Sequence, residues 1–202
     1  MDVLTLKELT KHFDEEILFS GLSYSFPKTG LFLLLGESGS GKTTLFRMIA
    51  GLDTDYTGTV TGGGKENVSM AFQEHRLLPA LSALGNVTEA LRPLSLHRES
   101  TVSLAENALL TLGFPRKDFK ARPSTLSGGM RQRVSLARAF AVGRPILLLD
   151  EPEKELHALL RERLYDAIRK AKAERLVIVS THTPEHLLKM ADGTLSIPTQ
   201  NA

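Results

Sequence analysis

Residues 31–44 read LFLLLGESGSGKTT. Five apolar residues in a row (31–35) fit a strand buried on both faces, as the strands of a parallel sheet are. The next eight, Gly36-Glu37-Ser38-Gly39-Ser40-Gly41-Lys42-Thr43, match G-x-x-x-x-G-K-[ST]. Thr44 then opens TLFRMIAG, a helical stretch closed by Gly51. A strand before the motif and a helix after it supply the context that gives the pattern meaning. Glycines let backbone N–H groups turn inward around phosphate oxygens, and the start of a helix adds a partial positive charge aimed at the same anion. In such a loop Lys42 reaches the β- and γ-phosphates and Thr43 offers a hydroxyl to Mg²⁺. A glycine-rich turn that binds nothing is the bland reading, and eight matched positions in the right context weigh against it. By itself the motif gives a nucleotide-binding loop, with kinases, GTPases and many ATPases all open.

The bulk composition narrows the classes. The chain has 202 residues, which fits one domain with room for an inserted subdomain. Hydrophobic residues make up 42%, enough for a core. With no cysteine there are no disulfides and no thiolate metal sites, which suits the cytoplasm. A net charge of +2 gives no case for nucleic acid, and none is expected as a partner. Arg116, Lys117, Lys120, Arg122, Arg131, Arg133, Arg138 and Arg144 face only Asp118. A solvated basic surface is the default expectation for that stretch; a surface that meets phosphates is the sharper one. The start of the sequence carries no basic segment followed by an apolar one, so a signal peptide is not expected, and runs such as 31–35 are far short of a membrane span.

Further strands are expected at VLTL (3–6), LSYSF (22–26), TGTV (57–60), VSMAF (68–72), ILLLD (146–150) and RLVIVST (175–181). From about 77 to 125 strand signals stop and helical patterns such as VSLAENALLTLGF (102–114) take over, which reads as a helical insertion. Residues 127–143 read as a helix with Ser127 as N-cap and Gly143 at its end, and residues 155–174 carry apolar positions at helical spacing. Strands alternating with helices predict an α/β fold with a mainly parallel core sheet. The expected organisation is a single domain over 1–202, with a core of 1–76 and 126–202 and a helical subdomain at 77–125.

ILLLDE (146–151) places two carboxylates at the end of a buried strand. Beside a phosphate loop, a strand ending in Asp suggests the carboxylate that helps hold Mg²⁺, which gives Asp150 that role. Glu151, one residue on, could orient a water and accept its proton. A helix-capping acid pair on the surface is the alternative, and the apolar run leading to the carboxyl end of a sheet disfavours it for Asp150.

LSGGMRQR (126–133) resembles the LSGGQ signature of the ATP-binding-cassette (ABC) ATPases, with Met130 in place of the commoner Gln. The order of the motifs agrees over nearly the whole chain: phosphate loop, Gln73 after a strand, signature, ILLLDE, then His182 after VIVS. The resemblance implies a P-loop NTPase fold with an N-terminal antiparallel part, a parallel core sheet and a helical subdomain. It also implies two such subunits closing head to tail on two ATP molecules, each ATP held by the phosphate loop of one and Ser127, Gly128, Gly129 and Met130 of the other. By the same resemblance Phe13 stacks on adenine, Gln73 meets Mg²⁺ or the attacking water, and His182 touches the γ-phosphate. His186, beyond Pro184 in an expected helix, is the weaker candidate. FQEHRLLPALSALGNV (72–87) is similar to the ATPases of bacterial nitrate, sulfonate and taurine importers, although exporters carry similar text. Membrane subunits supplied by other chains, a second ATPase subunit and a place on the cytoplasmic face of the membrane follow as expectations. A DNA-repair or translation ABC protein would need long coiled coils or tandem cassettes. A subunit that binds ATP but barely hydrolyses it is the other rival.

Two departures stand out. The family usually reads x-S-A-L-D after the Walker-B glutamate; here Lys154, Glu155 and His157 replace the small residues and the Asp, and Leu156 is kept. Long charged side chains in a tight interface cost entropy and desolvation, so poor coupling between sites and slow basal hydrolysis are expected. Thr183 replaces a common Asp after the His, and the extra regulatory domain of some importer ATPases is not expected beyond GTLSIPTQ.

Overall fold

The computed structural model describes residues 2–13 and 16–197, without the side chains of Asp2, Phe13 and Glu16. The chain divides into two compact units, one of residues 1–70, 144–150 and 169–202, the other of 71–143 and 151–168.

In the first unit, β1 (Asp2–Phe13) pairs antiparallel with β2 (Glu16–Pro27). Both run well beyond the expected four- and five-residue strands, because bulges let polar and apolar residues share a strand without a clean alternation. β3 (Gly30–Leu35) enters the phosphate-loop sequence, and α1 (Lys42–Ile49) leaves it. β4 (Thr57–Thr61) adds to the free edge of β1. Opposite one bulge in β1, a Cβ on Gly58 would lie 2.4 Å from the carbonyl oxygen of Glu8, so no larger residue fits there.

The second sheet has the order β5-β6-β7-β3-β8, made of β5 (Val68–Ala71), β6 (Ile146–Asp150), β7 (Leu176–Ser180), β3 and β8 (Gly193–Ser196). β3 pairs parallel with both β7 and β8, and β6 with β7. All five residues of β6 and of β7 are buried, which explains the apolar runs that precede Asp150 and Ser180. β8 was not legible in sequence: only Leu195 of its four residues is buried. One apolar cluster joins Leu4, Leu6, Phe19 and Phe26 to Phe32, Leu34, Leu148 and Ile178 and to Leu45, Phe46 and Ile49 of α1. Phe26 meets Phe32 edge-on at 5.3 Å.

The second unit is mostly helical: α2 (Ala83–Leu91), α3 (Arg98–Thr111), α4 (Gly128–Ala141) and the first part of α5 (Ala158–Glu174). Val87, Leu91, Ala105, Leu109, Val134 and Leu136 are completely buried within it. Buried Asn86 accepts from the Leu78 N–H at 2.7 Å and donates to the carbonyls of Leu78, Leu81 and Ser82, which fixes the turn into α2. The helix expected over 155–174 begins three residues later, because Glu155 has φ +64° and cannot join a right-handed helix. A short α6 (Glu185–Leu188) follows Pro184 and contains His186, as expected.

At the start of β3, Asp192 accepts the Leu31 N–H at 2.8 Å and pairs with Lys172 at 3.1 Å. The Leu31 N–H first, and Lys172 second, hold the Asp192 carboxyl below the ordinary carboxylate range. A depressed folded pKa means stability present above the unfolded value and lost as pH falls through the folded one. Asp192→Ala should cost about 1 kcal/mol at pH 7, a figure kept low because the side chain is half-exposed, and less at pH 3. Urea midpoints at the two pH values measure it; equal losses would show that ionised Asp192 contributes nothing.

Candidate functional site

Gly36–Gly41 connects β3 to α1 within the first unit, and its shape follows from its glycines. Gly39 and Gly41 have φ of +84° and +94°. A Cβ on Gly41 would also come within 2.5 Å of Leu18 Cδ2, so this turn admits only glycine. Gly41 is the N-cap of α1 and leaves the helix start with no side-chain cap and no acidic residue in its first turn. Those first N–H groups therefore have a free electrostatic claim on an anion. Lys42 is buried, and its ammonium folds back to donate to the carbonyls of Gly36 (2.8 Å) and Glu37 (2.7 Å). Ser40 Oγ is buried with no hydrogen-bond partner among the described residues, an orphan inside the loop. Glu37 and Ser38 are exposed at the turn, and Thr44 is half-buried in α1.

Asp150, 2% exposed at the end of β6, is held by two hydroxyls: Thr43 donates at 2.7 Å and Ser180 at 2.5 Å. Ser180 faces Asp150 in the β6–β7 register. Sequence reading missed it, although a lone polar residue ending VIVS was a usable signal. His182 lies exposed two residues past β7, at a bend closed by the Thr183 N–H donating to Thr181 Oγ1 at 3.1 Å. Phe13 ends β1, and its side chain is outside the described residues.

The second unit carries the other motif residues. Gln73 is exposed, and its amide donates to the Glu151 carboxylate at 3.1 Å. Glu151 has φ +48°, a conformation costly for a side chain with a Cβ and concentrated at functional turns. Ser127 caps α4 by accepting the Met130 N–H at 3.3 Å. A Cβ on Gly128 would lie 2.0 Å from Glu155 Oε2, and one on Gly129 would lie 2.7 Å from the Glu155 carbonyl oxygen. The backbone of the loop 151–157 thus leaves no room for a larger residue at Gly129, while at Gly128 the Glu155 side chain occupies the space.

The basic stretch is not simply a solvated face. Arg131 donates to the Leu126 carbonyl, Arg133 to those of Gly113 and Gly129, and Arg138 to those of His75 and Arg76. Apart from the Gly129 carbonyl inside α4, the acceptors lie in loops, where the guanidinium forks satisfy them. A cleft of about 490 Å³ lined by Ser82, Gly85, Thr88, Arg92 and Arg98 contains none of the motif residues. Among the described residues no cluster of His, Asp or Glu could hold a metal by itself. The donor set that does exist, a carboxylate beside a hydroxyl, suits a hard cation completing its shell with phosphate and water.

The ABC transporter family model matches residues 19–154. The chain belongs to the ABC transporter family. This ABC ATPase is 36% identical over 194 residues to the aliphatic sulfonates import ATP-binding protein SsuB 1 of Paracoccus denitrificans, covering 95% of this chain and 78% of that protein. It is 35% identical over 201 residues to the Fe(3+) ions import ATP-binding protein FbpC 1 of Rhizobium meliloti, spanning 94% of this chain but only 56% of that relative. Its fold superposes with TM-score 0.86 and 26% identity on a dimeric, post-hydrolysis ATP-binding cassette bound to ADP and Pi, covering 96% of this chain and 94% of the other. The sequence-based expectations of a P-loop ABC fold and of an ATPase are met.

His75, on the Gln73 loop, faces Glu155 at 3.8 Å. Burial pushes its pKa down, Arg131 and Lys154 add to that, and Glu155 opposes them. With the folded value below the ordinary 6.5, its contribution to stability is present above 6.5 and lost as pH falls through the folded value. His75→Gln should therefore lose less urea resistance between pH 7 and pH 5 than the parent. An identical pH slope would show that His75 protonation is not opposed in the fold.

Proposed function

We propose that this ATPase powers a bacterial importer of a small solute. The observation that carries the proposal is the uncapped glycine loop with Lys42, continuous with Thr43 hydrogen-bonded to Asp150. The importer relatives support the transport assignment, and the match to 78% of the sulfonate ATPase extends it over most of such a subunit.

In this reading residues 1–202 form one cassette, with a core of 1–76 and 126–202 and a helical subdomain at 77–125. ATP phosphates sit in the backbone N–H groups of Gly36, Glu37, Ser38, Gly39, Ser40, Gly41, Lys42, Thr43 and Thr44, with adenine on Phe13. Lys42 exchanges its two carbonyl partners for phosphate oxygens, which are better acceptors for an ammonium. The orphaned Ser40 hydroxyl fits the same ligand. Thr43, Asp150 and Gln73 would hold Mg²⁺, whose charge draws electron density from the phosphates when bound. Glu151 takes a proton from water as the water oxygen bonds to the γ-phosphorus, the bond from phosphorus to the bridging oxygen breaks, and ADP and phosphate leave. Gln73 contacts Mg²⁺ or that water and senses the membrane subunit, and His182 contacts the γ-phosphate. A second subunit supplies Ser127, Gly128, Gly129 and Met130 to the opposite ATP. Membrane subunits dock near the Gln73 loop and the helical subdomain, on the cytoplasmic face; among the described residues no helix is long and apolar enough to cross a membrane. An exporter ATPase is the alternative. The charged loop 153–157 favours a second reading, a weakly hydrolysing regulatory subunit.

Glu151→Gln should lower ATP turnover by about 100-fold or more while sparing ATP binding, since the amide keeps the shape and loses the basicity. Steady-state phosphate release and nucleotide titration measure both; unchanged turnover would remove Glu151 from the base role. Lys42→Ala should instead weaken ATP binding itself by about tenfold or more. Unaltered affinity in a fluorescent-nucleotide titration would refute the loop assignment.

A further inference from the structure

The signature loop of this chain already has an anion on it. We propose that the Glu155 carboxylate is an autoinhibitory pin, seated on Gly128 where the phosphate of the partner subunit's ATP would have to be received. The inference rests on the head-to-tail reading above.

Four features of the second unit carry it. First, Glu155 Oε2 lies only 2.0 Å from where a Gly128 Cβ would stand, so the carboxylate reaches the backbone of the signature while its side chain stays 40% exposed. Second, α4 has no acidic residue in its own first turn. The carboxylate that lies at the helix start comes instead from the loop 151–157. Third, the same carboxylate reaches His75 Nε2 at 3.8 Å, which ties the signature to the loop that carries Gln73. Fourth, the loop that presents Glu155 is built to stay. Gln132 donates to the Pro152 carbonyl, Glu153 is buried against the Tyr165 hydroxyl, and Arg161 donates to the Leu156 carbonyl. Glu155 is held at φ +64° by those ties, a backbone shape that a side chain with a Cβ adopts only when its surroundings impose it.

An incoming γ-phosphate and a carboxylate on one glycine loop repel each other and compete for the same space. Closure of two subunits then requires Glu155 to leave Gly128 and His75. The pin raises the ATP concentration needed for association and leaves each subunit's own phosphate loop untouched.

The test uses the full chain with Glu151→Gln, so that ATP is not consumed. Dimer formation is followed by sedimentation velocity over a range of MgATP, and nucleotide affinity is measured separately on the dilute monomer. Glu155→Gly removes the carboxylate and suits the left-handed backbone, so folding is preserved; Glu155→Gln keeps the bulk and removes the charge. Both should lower the ATP concentration at half-dimerisation, Glu155→Gly by about tenfold and Glu155→Gln by less, with monomer affinity for ATP unchanged. Added salt should narrow the gap between parent and variants by screening the charge. Dimerisation at the same ATP concentration in parent and both variants overturns the pin while the head-to-tail reading stands. A shift in Glu155→Gly with none in Glu155→Gln overturns its anionic character. No ATP-driven dimer in any of them overturns the pin together with the composite site.

Discussion

A buried carboxylate at the end of a buried strand is the constraint on which the first unit depends. Taking an ionised Asp out of water costs several kcal/mol unless donors replace the lost solvent. Asp150 meets that demand with the hydroxyls of Thr43 and Ser180. Ser180 comes from the neighbouring strand at matched register, and Thr43 from the first turn of the helix that follows the phosphate loop. One side chain therefore fixes the ends of β6 and β7 and the start of α1 together. The apolar cluster beneath, running from Leu4 to Phe46 and Leu148, makes that arrangement rigid.

The second unit is organised by a different force. Besides buried apolar residues such as Phe114, Leu126 and Leu156, its loops are held by guanidinium and amide donors aimed at backbone carbonyls. Arg138 secures the turn after Gln73, Arg133 ties the signature helix to Gly113, and Gln132 anchors Pro152. Three of the five non-glycine residues at positive φ among the described residues, Arg76, Glu151 and Glu155, lie on the loops so tied. Each such conformation costs on the order of 1–3 kcal/mol and persists only where neighbouring contacts outweigh it. Strain concentrated on loops that carry motif residues is expected of parts that exchange partners during a working cycle.

The departure from the family pattern in 153–157 acquires a physical sense in this setting. Glu153 is not an idle surface charge but a buried partner of Tyr165, and burial first, then that carboxylate, push the tyrosine's pKa up. Glu155 lies on the signature glycines and opposite His75. A small residue at 155 could not make the second contact. The substitutions put the long charged side chains of Lys154 and Glu155 where the usual loop has small ones.

The sequence by itself determined the phosphate loop, the carboxylate at the end of β6, the signature with its Ser127 cap and the alternation of strands and helices. Each of these is written locally: glycine spacing, an apolar run ending in Asp, an N-cap before a helical pattern. The family follows from their order. What only the tertiary structure decided is every partnership between distant positions. The polar residue ending VIVS singles out Ser180 in the sequence, but not Asp150, 30 residues away, as the group it donates to. The basic stretch read as surface because charge alone does not reveal which carbonyls lack partners. The helix expected from 155 waited until 158 because the loop's contacts hold Glu155 in a left-handed turn that periodicity cannot register. Local pattern fixes what a segment can be; contacts across the chain fix what each side chain must satisfy, and those contacts are long-range by nature.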